Sequence, residues 1–176
     1  MNSVKLLGVK VIEVGAFHHC DGLTEIEFGD TLQTIGEGAF ELCISLRTIT
    51  MPCVRSIGKY AFVNCQQLTH LELPEGLETL QEYAFCGCNS LRRIAMPLRD
   101  DMIGDYVFFN CPNLTTVDLV GGIHNNIASL HLERWRHEMK DEINRINQAL
   151  PNTTRLHKTT VIQQWIRSVI RRLDHY

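Results

Sequence analysis

Residues 57–74 read IGKYAFVNCQQLTHLELP, running from Ile57 through Ala61, Phe62, Cys65 and Leu68 to Leu71, Leu73 and Pro74. The middle of that stretch recurs four more times: AFHHCDGL at 16–23, AFELCISL at 39–46, AFCGCNSL at 84–91 and VFFNCPNL at 107–114. The phenylalanines are Phe17, Phe40, Phe62, Phe85 and Phe108, so the steps are 23, 22, 23 and 23 residues. A fixed period of this length predicts a solenoid, because one such unit cannot bury its apolar face alone and must stack on its neighbours.

Counting from each phenylalanine resolves the unit into columns. Five residues before it stand Ile12, Ile35, Ile57, Leu80 and Ile103, followed by glycine in three copies (Gly36, Gly58, Gly104). Immediately before it the residue is small: Ala16, Ala39, Ala61 and Ala84, then Val107. Three after it come Cys20, Cys43, Cys65, Cys88 and Cys111, and six after it Leu23, Leu46, Leu68, Leu91 and Leu114. The unit then alternates: Ile26, Ile49, Leu71, Ile94 and Val117 at the ninth place, Phe28, Met51, Leu73, Met96 and Leu119 at the eleventh. Period two is the mark of a half-buried strand, and equivalent strands of successive units predict a parallel ladder. Pro52, Pro74 and Pro97 fall just past the strand ends, where no ladder donor is needed.

The consensus L-x-x-I-x-L-P…I-G-x-x-A-F-x-x-C-x-x-L resembles the BspA-type leucine-rich repeat over roughly residues 4–122. The resemblance implies a curved α/β-type repeat solenoid with short parallel strands on its concave face. It implies adhesion or protein interaction rather than catalysis, and no cofactor. The sequence departs from the pattern at Gly29 and Val120 in place of proline, Val107 in place of alanine and Gln81 in place of glycine.

In that register Phe17, Phe40, Phe62, Phe85 and Phe108 and the five aligned cysteines are structural core. The cysteines read as small buried hydrophobes with a weak donor each. The competing reading is a thiol- or metal-dependent enzyme using Cys86 and Cys88, or His18 and His19 beside Cys20. A stacked ladder delivers a line of sulfurs, whereas zinc needs four converging ligands. No metal and no catalytic residue is therefore assigned. Cys53 and Cys86 stand off the register and are expected to be accessible.

Strand positions pointing away from the core make the candidate protein-binding surface. They are Glu25, Thr48, His70, Arg93 and Thr116 at the eighth place and Glu27, Thr50, Glu72 and Asp118 at the tenth, with Arg47 and Arg92 at the seventh. This surface is polar, mixed in charge and poor in the aromatic anchors that usually carry interface energy. Arg47, Arg92, Arg93 and His70 form a cluster suited to an acidic partner.

The repeat pattern stops at Gly121–Gly122, which divides the chain into a solenoid over 1–122 and a helical region over 123–176. The first segment holds 8 Lys and Arg against 15 Asp and Glu; the second holds 9 against 5. Leu132, Trp135, Met139, Ile143, Ile146 and Leu150 recur at helical spacing and predict one amphipathic helix over about 129–150, ended by Pro151. Asp141 and Arg145 are spaced for a pair on its polar face. A second helix is expected over about 160–174, opened by a Thr160-x-x-Gln163 capping box and carrying Ile162, Trp165, Ile166, Val169, Ile170 and Leu173 inward. An open solenoid end exposes apolar core and unpaired edges, so the two helices are expected to form a hairpin cap. The wording of this tail is similar to repeat proteins of unicellular eukaryotes. No comparable cap precedes Val4, Leu6, Leu7, Val9 and Val11, which leaves a fragment, a frayed first half-repeat or an end-to-end contact.

A net charge of −3 gives no argument for nucleic acid. No apolar run reaches membrane-spanning length, and Lys5, Lys10 and Glu13 interrupt the opening residues, which therefore lack a signal-peptide core. With an odd count of seven cysteines, the chain is expected to be intracellular, in the cytoplasm. The expected function is a non-enzymatic scaffold binding an unidentified protein through the strand face, the helices or both, with self-assembly through the N-terminal end as a further alternative.

Overall fold

In the computed structural model of the chain, residues 2–120 and 132–173 are described, with side chains over 2–120 and 137–172. The Gly121–Gly122 boundary, the first residues of the expected first helix and the side chains of Leu132, Trp135 and Leu173 lie outside the described residues.

The described coils contribute six concave strands and four two-residue return strands. The concave strands are β1 (Asn2–Leu6), β3 (Leu23–Phe28), β5 (Thr48–Thr50), β7 (His70–Glu72), β9 (Arg93–Met96) and β10 (Thr116–Leu119). The return strands are β2 (Val11–Ile12), β4 (Thr34–Ile35), β6 (Ser56–Ile57) and β8 (Thr79–Leu80). All pairings are parallel and in repeat register: Ile26 faces Ile49, Leu71 faces Ile94 and Ile94 faces Val117. The return ladder runs through all four strands, and a single bridge from Leu80 to Ile103 extends it into the fifth coil.

Between the return strand and the next concave strand the chain makes a tight turn with two left-handed positions per coil. Two residues before the phenylalanine these are Gly15, Gly38, Tyr60, Tyr83 and Tyr106; two residues after it they are His19, Leu42, Asn64, Gly87 and Asn110. The turns of adjacent coils are stitched together by main-chain bonds, Phe17 N–H to the Ala39 carbonyl (2.7 Å), Phe40 to Ala61 (2.7 Å) and Phe62 to Ala84 (2.8 Å). The coils approach so closely that a Cβ on Gly36 or Gly58 would stand 2.8 Å from the preceding backbone, which accounts for glycine after the return-strand aliphatic.

Phe40, Phe62, Phe85 and Phe108 are fully buried and form one stack. Successive rings from Phe17 to Phe85 are 5.0–5.1 Å apart and within 5° of parallel. Each such pair contributes about 0.5–1.5 kcal/mol beyond burial. The last step, Phe85 to Phe108, widens to 6.3 Å, and this is the step where Val107 stands in place of alanine. Phe17 and Cys20 are only half-buried, a departure from the uniform core read from the sequence. They belong to the first coil, where Phe17 stacks on Phe40 alone.

The concave ladder is not continuous. It consists of two three-stranded halves, β1-β3-β5 and β7-β9-β10, with no ladder between β5 and β7. The one 22-residue step falls in the same coil: Met51 to Ile57 is one residue shorter than Phe28 to Ile35 or Leu73 to Leu80. That withdraws about 3.3 Å of contour from the connection after β5. Ile49 is correspondingly half-exposed, while Ile26, Leu71, Ile94 and Val117 are buried.

Helix α1 (Leu132–Ala149), a 3-10 turn (Leu150–Asn152) and helix α2 (Lys158–Leu173) close the far end. Met139 and Ile146 of the first, Leu150 of the 3-10 turn, and Ile162, Trp165, Ile166 and Val169 of the second are buried in the same core as the coils. Polar side chains and one main-chain carbonyl take over the bonds a further coil would make. Asn147 accepts from Val117 N–H (2.7 Å) and donates to the Val117 carbonyl (3.2 Å). Thr159 Oγ1 accepts from Phe108 N–H (2.9 Å), and the Arg155 carbonyl accepts from Asn110 N–H (2.9 Å). Gln163 Nε2 donates to the carbonyls of Ile103 (2.9 Å) and Gly104 (3.2 Å). Lys158, 1% exposed, donates to the carbonyls of Leu114 and Leu150.

Two local expectations are corrected. Helix α2 starts at Lys158, so Thr160 lies inside it, and Gln163 serves the last coil instead of a capping box. Arg145 pairs with Glu142 (2.7 Å) rather than with Asp141, because Glu142 is nearly buried and also receives Arg172 from α2.

Candidate functional site

The strand face presents its columns as alternation requires. Thr48, Thr50, His70, Glu72, Arg92, Arg93 and Arg47 are exposed, and Glu25, Glu27, Thr116 and Asp118 are half-buried. Some of these charges are already matched: Lys5 with Glu27 (2.5 Å), and Arg93 with Asp118 across the last two strands. Arg47 Nε donates to Gln67 Oε1 (2.9 Å) in the next coil. Among the described residues Glu25, Glu72 and Arg92 have no ion-pair partner. The structure therefore does not gather Arg47, Arg92, Arg93 and His70 into one free basic cluster. It leaves Arg92 free beside a neutralised Arg93, and His70 engaged by Thr69 (Oγ1 to Nδ1, 2.9 Å). A shallow depression lined by Arg47, Gln67, Thr69 and Ser90 flanks the gap between β5 and β7.

The thiols form a row. Cys43, Cys65, Cys88 and Cys111 are fully buried, and each S–H donates to the carbonyl of the preceding coil's phenylalanine: Phe17 (3.1 Å), Phe40 (3.4 Å), Phe62 (3.3 Å) and Phe85 (3.2 Å). Burial pushes the Cys43 thiol up to about 11 and that of Cys111 up to about 12, and raises Cys65 and Cys88 well above the ordinary thiol value. Cys86, half-buried, is raised by the same desolvation. A nucleophilic thiol needs the opposite shift. Cys88 is held in the core by its bond to the Phe62 carbonyl, whereas Cys86 lies toward the surface. His18 and His19 are both exposed, within 3.7 Å of Glu41 and 3.1 Å of Asp21 respectively. No set of three metal-ligating side chains converges among the described residues.

One feature escaped the sequence reading. Tyr60, Tyr83 and Tyr106 stack on one another outside the core, with ring centroids 5.4 and 5.0 Å apart, and Phe109 packs edge-on against the last two. Tyr60 is 39% and Tyr106 49% exposed. All three tyrosines hold a left-handed backbone, which costs a side-chain-bearing residue about 1–2 kcal/mol. The aromatic anchors missing from the strand face thus exist on the turn side of the coils.

No curated protein matches the chain. Among solved structures it is similar to a leucine rich cell surface protein from Faecalibacterium prausnitzii A2-165, at 29% identity and a TM-score of 0.61, over 70% of this chain and 33% of that one. A leucine-rich repeat protein from Eubacterium ventriosum ATCC 27560 is similar at 25% identity and a TM-score of 0.59, over 69% of this chain and 32% of that one. The chain thus spans about a third of the length of each. The leucine-rich repeat protein of T. pallidum shares the fold at 23% identity and a TM-score of 0.51, over 66% of this chain and 68% of that one. These relatives are bacterial, so the likeness of the tail to proteins of unicellular eukaryotes has no support from them. The BspA type leucine-rich repeat region matches residues 9–130 in six copies, and the chain belongs to that family.

Proposed function

We propose that the chain is a protein-interaction scaffold whose recognition surface is the concave strand face, centred on the gap between β5 and β7. The observation that carries this reading is the exposure of Thr48 and Thr50 on β5 and of His70 and Glu72 on β7, either side of that gap, with exposed Arg92 just ahead of β9. Unmatched charges held at fixed spacing supply specificity when a partner brings their complements. The helices are assigned a capping role, because their apolar stripes and polar side chains are spent on the last coil. The seven free thiols support a reducing, intracellular setting. No helix among the described residues is long and apolar enough to cross a membrane.

The test compares proteins captured by the full chain with those captured by an Arg92→Glu, Glu72→Lys variant of equal melting temperature. Loss of a specific captured protein, with its cross-links mapping to β5, β7 and β9 in the parent, supports the strand face. An unchanged captured set removes it.

Self-assembly is favoured by a separate observation: Leu7, Val11 and Val14 on the flank of the first coil are all exposed. Sedimentation of the full chain decides this reading, and a monomer at all concentrations removes it.

A further inference from the structure

The tyrosine stack ends abruptly. The same left-handed position carries Tyr106, Tyr83 and Tyr60 in successive coils, then Gly38 and Gly15. Tyr83 covers one face of Tyr60, and no described ring covers the other. Below that face lies the turn of Gly38, whose N–H donates to the Lys59 carbonyl next to Tyr60 (2.9 Å). A Cβ built on Gly38 meets only one atom within 4 Å, Oε2 of Glu41 at 3.2 Å, and one on Gly15 meets nothing. A ring face with no aromatic neighbour therefore overlooks the step where the tyrosines stop; Gly38 itself is buried, and the Glu41 carboxylate stands at the margin of the step.

The charge around this step is negative. Glu37 and Glu41 flank Gly38 in sequence, and the nearby cation, Lys59, is paired with Glu82 of the following coil (3.1 Å). His18 Nδ1 approaches Glu41 Oε2 at 3.7 Å, beyond hydrogen-bond distance.

We propose that the open end of the tyrosine stack, between Tyr60 and Gly38, binds an arginine side chain of a partner protein. A guanidinium is planar and weakly hydrated, stacks on aromatic faces, and presents a fork that matches a carboxylate. The stack advances 5.0–5.4 Å per coil, so one flat group continues it where the tyrosines stop. The ring face of Tyr60 holds the plane of the guanidinium, and Glu41 takes its N–H groups. An ammonium has neither the plane nor the fork. This site is separate from the strand face and stands without it.

Gly38→Tyr tests the site directly. Tyrosine is already accommodated at this turn position with φ of 57–58° in three coils, and Gly38 has φ of 59°. The substitution extends the stack and fills the step. The Tyr60 ring signals of the full chain are followed by NMR during titration with N-acetyl-arginine N-methylamide, and separately with its lysine counterpart. The expected result is a saturable Tyr60 shift with the arginine compound, at least roughly threefold weaker with the lysine compound. Gly38→Tyr abolishes it, and Glu41→Gln weakens it roughly threefold. A shift that does not saturate, equal binding of the two compounds, or undiminished binding by either variant overturns the proposal. Should Gly38→Tyr fail to fold, Glu41→Gln, an isosteric exchange at a half-buried side chain, decides alone.

Discussion

At the third place after each phenylalanine the fold needs a side chain small enough for the core and able to donate to a carbonyl. Cysteine meets both needs. The Phe17 carbonyl, for example, already accepts from Cys20 N–H at 3.3 Å, and the Cys43 thiol occupies its second lone pair. Because burial raises these thiols from 9.0, they couple stability to alkaline pH. Below about pH 9 they are neutral in both folded and unfolded chains. Above it the unfolded chain releases protons that the folded chain retains, so stability falls as pH rises toward the folded values of about 11 and 12. Each fully protected thiol contributes about 1.4 kcal/mol of loss per pH unit. Lys158, lowered from 10.5 by burial, acts in the opposite sense as pH approaches 10.5 but is a single group. Urea midpoints should be flat from pH 7 to 8.5 and fall steeply above 9, with a shallower fall in Cys65→Val, Cys88→Val; a pH-independent midpoint to pH 10.5 contradicts this. The thiol row was legible because one residue type repeats in one register. The tyrosines were not, because Gly15, Gly38 and Tyr60 look unrelated until their shared left-handed φ equates them.

At the scale of elements, the cap shows how an open ladder is ended without another repeat. Asn147 supplies one acceptor and one donor to Val117, as a neighbouring strand residue would. Removing it leaves a half-buried edge with unmet main-chain groups, a cost of about 1–3 kcal/mol. Asn147→Ala is expected to lower urea-measured stability by that amount and to speed hydrogen exchange at Val117 more than at Ile26. Equal effects at both amides would mean that Asn147 does not act through this edge. The apolar stripes of both helices were readable from spacing alone. What the polar residues of α1 and α2 do was not. Gln163 and Thr160 look like a capping box by local rule, but the open carbonyls of Ile103 and Gly104 claim Gln163. Spacing along a helix carries no information about which foreign backbone groups await it. The division of the concave ladder likewise had a visible correlate, the single 22-residue step, whose consequence depends on how the coils stack.

The whole molecule is a line of nearest-neighbour interfaces, so its ends govern its cooperativity. The acidic coils and the basic tail are joined at one such interface, where Arg167 reaches Asp100 (3.7 Å) and Asp101 (3.5 Å), but exposed pairs of this kind contribute only about 0–1 kcal/mol each. Apolar burial dominates instead: Ile162, Trp165, Ile166 and Val169 cover the last coil, and Lys158 and Thr159 bond its main chain. A chain ending at Gly122 therefore loses more than a tail. Phe108, Asn110 and Val117 each lose the acceptor of their N–H. Hydrogen exchange at these three amides should approach that of unprotected peptide, while Ile35, Phe40 and Phe62 in the middle coils stay protected. The urea m-value should fall, because the fifth coil unfolds ahead of the rest. An unchanged m-value with Val117 still protected would show that the coils end themselves and would release α1 and α2 for partner binding. If the fifth coil melts, loss of a partner from the shortened chain cannot be credited to the helices, since β9 and β10 of the strand face, with Arg93 and Asp118, are disturbed by the same cut.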